Sequence, residues 1–172
     1  MKTKLTASLV AALAAATLVS VAIPNAYAQV NVPSSVTVNA VCGISTNPAG
    51  ATLAYGTLTP GVEGDRGQQS ADQPLVVRST GNTPPQVVVR GTHWSSTTPA
   101  YSDAMLVSAT HYTTTSGTPY NSKTALTLSN TPIINSLTPG SPVTTYWQLE
   151  ATLNQADATG TLRQTVTLTA VC

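Results

Sequence analysis

Between residues 30 and 44 the even positions read Val30, Val32, Ser34, Val36, Val38, Ala40, Cys42 and Ile44, while Asn31, Thr37 and Asn39 fall on odd ones. A period of two sends successive side chains to opposite faces, so this stretch predicts a strand with one oily and one polar side. Strand-like runs recur at 52–55, 74–79, 86–94, 104–112, 124–128, 143–153 and 161–171, about eight strands with no helical periodicity between them. Turn chemistry separates them. Pro60-Gly61 and Pro139-Gly140 both lie in the tetrapeptide Leu-Thr-Pro-Gly, with Pro presetting φ and Gly accepting a positive φ, which predicts two equivalent type II corners. Gly81-Asn82 and Pro84-Pro85 mark a further turn, and 95–103 and 113–123 read as long connections rich in Ser, Thr and Pro. The expected fold is all-β, an immunoglobulin-like two-sheet sandwich of about eight strands, with a closed barrel as the alternative.

The first 28 residues stand outside this pattern. Lys2 and Lys4 precede an apolar run over 9–23, and Ala26-Tyr27-Ala28 is a small-x-small processing signal, which predicts a cleaved signal peptide over 1–28 and a single mature domain over 29–172. The expected location is therefore secreted, at the cell surface or beyond. Removing the leader also changes the charge. The precursor carries +1, whereas the mature chain sets five basic residues against six acidic ones for −1. The basic residues are scattered singly, so no phosphate-binding surface and no nucleic-acid partner are expected. No second apolar run of membrane-spanning length follows, so the mature chain is not expected to insert in a membrane. Thirty Thr and 16 Ser in 172 residues leave a surface of hydroxyls, whose weak self-repulsion favours association.

Cys42 and Cys172 survive processing. In an oxidising exterior an even pair predicts one disulfide, with free thiols or intermolecular bridges as alternatives. No enzyme is expected. His93 and His111 lack a nucleophile elbow, a zinc-binding spacing or a Cys-His arrangement, and each reads as a structural imidazole. No cofactor is expected. Glu63, Asp65 and Asp72 are the sole acidic cluster, a calcium candidate on a Gly-rich loop, but their spacing matches no EF-hand and a solvated turn is favoured. Lys123, the one lysine of the mature chain, has no acidic neighbour in sequence to promote an isopeptide crosslink. Trp147 reads as a core residue, and Trp94 as the better candidate for an exposed ligand contact.

The stretch Leu53-Ala54-Tyr55-Gly56-Thr57-Leu58-Thr59-Pro60-Gly61, followed by a strand from Leu75 that ends in Thr80-Gly81-Asn82, resembles the opening of secreted prokaryotic immunoglobulin-like envelope domains. With Tyr146-Trp147-Gln148-Leu149 it is similar to small secreted archaeal envelope proteins, and more loosely to donor-strand-linked fibre subunits. That looser resemblance implies self-association, or assembly with other envelope proteins, through an N-terminal segment that completes a neighbour's sheet. Residues 29–39 fit such a donor, with Val30, Val32, Val36 and Val38 as its interface face and Pro33 interrupting it. The plainer reading makes them the first strand of their own domain. The ending Ala170-Val171-Cys172 departs from chaperone-assembled pilins, which carry a penultimate Tyr. The expectation is a structural subunit of an extracellular fibre, pilus or coat, with a monomeric binding or adhesion module as the alternative.

Overall fold

The computed structural model describes residues 35–61 and 66–172. Asn39–Cys172 forms one compact unit, and the chain up to Val38 belongs to another. The leader over 1–28, and Val30 and Val32, lie outside the described residues. Within Asn39–Cys172 the strands are β1 (Ile44–Asn47), β2 (Gln73–Ser79), β3 (Gln86–Gly91), β4 (Trp94–Thr97), β5 (Ala100–Met105), β6 (Thr110–Thr113), β7 (Thr124–Ala125), β8 (Thr131–Ile134), β9 (Val143–Leu149) and β10 (Val166–Val171). They build a five-stranded sheet in the order β1-β2-β9-β6-β7, a three-stranded sheet β10-β3-β8, and the small hairpin sheet β4-β5. Every strand pair is antiparallel.

The two larger sheets face one another because each buries one side of its alternation. Leu75 of β2, Tyr112 of β6 and Trp147 of β9 pack with Val89 of β3, Val107 and Leu126. Val77 of β2 meets Val87 of β3, Ile134 of β8 and Leu137. Trp147 is fully buried, and its indole N–H donates to Thr145 Oγ1 at 2.8 Å while that hydroxyl donates to the Leu75 carbonyl at 3.0 Å. The core tryptophan thus keeps its polar atom satisfied. The sandwich has open borders and is not a barrel.

Several elements differ from the sequence reading for local reasons. The run expected at 86–94 divides into β3 and β4. The 95–103 connection is the hairpin β4–β5, in which Ser96 Oγ accepts from Thr98 N–H at 3.2 Å. β8, which is not among the expected strands, contains Pro132 and Ile133; the register shifts at Val87/Val88 opposite it, as a residue without an N–H requires at a sheet border. The two Leu-Thr-Pro-Gly corners are not equivalent. Gly140 has φ +80 and Ser141 N–H closes on Thr138 O at 3.0 Å, the expected turn. Gly61 instead makes a parallel bridge with Thr152, its N–H donating to Ala151 O at 2.8 Å.

Residues 35–43 are not in a strand, although the alternation continues through them. Val41 and Gly43 lie beside Asn82 and Thr80 in the register of β1 and β2. The Asn82 and Thr80 amides donate to Val41 O and Gly43 O, each at 3.0 Å. Asn82 clasps the same stretch with its side chain, accepting from Val41 N–H at 2.7 Å and donating to Asn39 O at 2.9 Å. Gly81 is needed for this approach, since a Cβ there would stand 1.9 Å from Val41 O. The chain therefore enters the domain at Asn39 in line with β1.

Candidate functional site

The expected disulfide is formed between Cys42 and Cys172, with Cα atoms 6.3 Å apart. Cys42 precedes β1, an outer strand of the larger sheet, and Cys172 follows β10, an outer strand of the smaller one. The bond thus pins two sheet borders together at one end. Away from it lies a trough.

One wall of the trough is the stretch 51–58. Its alternation was legible in the sequence, and Ala51, Leu53, Tyr55 and Leu58 are indeed half-buried while Thr52, Ala54, Gly56 and Thr57 are exposed. The side chains pack inward against the core. Yet 52–58 is not a strand, and among the described residues none of its backbone groups is hydrogen-bonded. The opposite wall is Leu162, Val166 and Leu168, all half-buried. Two clefts of about 510 Å³ and about 590 Å³ run along these walls and share Leu53, Tyr55, Trp94 and Leu162.

Trp94 corrects the sequence reading. It was expected as an exposed contact, but it is only 7% exposed and forms part of the trough lining from within the fold. Its indole N–H donates to Thr110 Oγ1 at 3.1 Å, and that hydroxyl donates to Gln164 Oε1 at 2.9 Å. Tyr55 meets the Trp94 ring edge-on, with centroids 5.8 Å apart. The Tyr55 hydroxyl is buried without a hydrogen-bond partner among the described residues. Burial pushes its ionisation above the ordinary tyrosine range.

Val36 and Val38, two of the four expected donor residues, are 85% and 71% exposed, and Val41 is 55% exposed. Glu63 and Asp65 lie outside the described residues. Asp72, the third acidic candidate, is ion-paired with Lys123, which also donates to Gln148 Oε1 at 2.7 Å. The Lys123 side chain has no exposed surface. Among the described residues there is no group of three or more His, Cys, Asp and Glu side chains able to hold a metal ion. His93 Nδ1 accepts from Val107 N–H at 3.0 Å, while His111 stacks on Tyr120 at 4.0 Å with its Nδ1 3.0 Å from the Tyr120 carbonyl oxygen. Both imidazoles thus brace loops. Among the described residues no helix is long and apolar enough to cross a membrane. No protein-family model, curated protein or solved structure matches the chain.

Proposed function

We propose that the chain is a secreted structural subunit of an extracellular fibre, pilus or surface coat, joined by donor-strand exchange through residues 29–39. The observation that carries this reading is the pair Val36 and Val38. They continue the apolar face of an alternating segment, yet they are exposed and in no strand, and among the described residues the first hydrogen bond to this segment falls on Asn39. Exposed valines at strand spacing are what a strand-adding interaction consumes, with main-chain hydrogen bonds giving affinity and alternate side chains filling pockets. A disulfide and a hydroxyl-rich surface of low charge fit an external, packed setting.

The test is the oxidised mature chain, residues 29–172, followed by size exclusion and negative-stain electron microscopy. Filaments or SDS-resistant ladders are expected, and deletion of residues 29–33 is expected to leave folded monomers. Filaments that persist in the deletion refute the donor assignment.

A further inference from the structure

The two larger sheets have four border strands, and natural borders are normally blunted by shortness, charge or proline. β7 has two residues and β1 four, and β8 carries Pro132. β10 differs from all three. It is six residues long, Val-Thr-Leu-Thr-Ala-Val, without charge or proline. Its Val166 and Leu168 are left half-buried against the trough. Across that trough, 52–58 belongs to no strand, and its backbone groups are unbonded among the described residues. A strand laid there would gain a ladder along β10 and cover the apolar side chains of both walls.

We propose that this trough is the acceptor for residues 29–38 of a second copy of the chain. The inference rests on the strand-exchange reading above and supplies the other half of the joint. Length suffices, since ten extended residues span about 33 Å and the run beside the trough, 162–168, has seven. Chemistry agrees as well. Residues 29–38 carry no charge and place four valines on one face, while Leu53, Tyr55, Trp94 and Leu162 line the trough. The path of the chain selects a second copy over the chain's own arm. To lie beside its own β10, the arm would have to fold back against β1. The backbone of Asn39, Val41 and Gly43 is instead bonded to Asn82 and Thr80 in continuation of the β1–β2 register, with no reversal between Asn39 and β1.

The experiment uses two variants of the oxidised mature chain. Val36→Asp combined with Val38→Asp disables the arm, and Leu53→Asp disables the trough wall while leaving β10 intact. Each alone is expected to remain monomeric, with near-ultraviolet circular dichroism of its two tryptophans preserved. Their equimolar mixture is expected to form dimers and nothing longer, because one working arm and one working trough remain. Polymers from Leu53→Asp, with the arm variant monomeric, overturn the trough as acceptor and leave strand exchange standing. Polymers from both variants overturn strand exchange itself. A parent chain that stays monomeric overturns the proposal whether or not its own arm fills the trough. Should Leu53→Asp fail to fold, Val36→Cys combined with Leu53→Cys tests the same contact. Oxidised assemblies are then expected to yield an intermolecular link between 36 and 53, and filaments lacking that link overturn the assignment.

Discussion

Lys123 is the only lysine outside residues 1–28, and the sandwich buries its side chain completely. Its ammonium donates to Asp72 and to Gln148 Oε1, and the Gln148 amide in turn donates to Ser70 O at 2.7 Å. The group thus ties the chain entering β2 to β9 and to the start of β7. Lys123→Met keeps the packing of the aliphatic stem while removing the charge. A charge-assisted hydrogen bond contributes about 1.5–3 kcal/mol net, and an abandoned buried acceptor adds its own desolvation cost. Asp72 retains 27% of its side-chain exposure, so water can partly replace the ammonium. The expected loss is therefore about 2–3 kcal/mol, below the ~3–5 kcal/mol seen when one partner of a fully buried pair is removed. Urea unfolding of Lys123→Met, Asp72→Asn and the double variant, followed by tryptophan fluorescence, measures it. The double variant should lose less than the two singles combined by about 1 kcal/mol or more, because neutralising Asp72 relieves the unpaired carboxylate. A Lys123→Met cost below about 0.5 kcal/mol, or singles that add within about 0.3 kcal/mol, would refute the reasoning and reduce the pair to an ordinary surface contact.

Removing the disulfide with Cys42→Ala and Cys172→Ala releases a loop of 130 residues, for which chain entropy predicts a loss of about 5 kcal/mol in the urea unfolding free energy. Asn82→Ala should leave global stability within about 1 kcal/mol, since its two side-chain bonds are exposed. It should nevertheless speed hydrogen exchange at Val41, and Gly81→Ala should do the same by pressing on Val41 O. Tyr55→Phe removes a buried hydroxyl without a partner among the described residues, so urea unfolding of an arm-disabled monomer should show unchanged or raised stability, by up to about 1 kcal/mol. Burial raises the ionisation of Tyr55 and Tyr120 in the folded chain. Their contribution is therefore complete below the ordinary tyrosine value near 10 and is lost as pH rises above it. Stability measured across alkaline pH should fall there, and less steeply in Tyr55→Phe.

The alternation of β2 and β9 was legible because each buries one face in the core, and burial imposes the period of two; β3 read instead as an apolar run, and Val87, Val88 and Val89 are all buried. The disulfide was legible from the count of cysteines, and the core role of Trp147 from Leu149 sharing its face. Other features depend on partners far along the chain. Trp94 sits at the end of an apolar run, and only the return of Thr110, Gln164 and the 51–58 stretch covers it. Lys123 had no acidic neighbour in sequence, because its partner Asp72 is 51 residues away. Asn82 read as turn chemistry alone, yet its side chain reaches back across 43 residues to Asn39. Ser, Thr and Asn satisfy backbone groups wherever the fold brings them, and sequence order does not show where that is.

The trough shows most clearly where periodicity and pairing part company. Alternation at 52–55 announces a strand, and the structure keeps its half-buried inward face without the strand, because alternation records only which side chains turn inward. It says nothing about what the backbone bonds to. Residues 52–58 bury their oily face against the core with no ladder among the described residues. Residues 35–38 carry the complementary condition, a ladder-ready alternation whose valines are exposed. Among the described residues each segment is half of an ordinary strand pairing, one with burial and no partner, the other with neither. A fold that retains both halves, and leaves its longest border strand free of charge and proline, has the edge that solitary proteins suppress. Another strand would complete that edge, and under the strand-exchange proposal residues 29–38, which carry no charge, supply it.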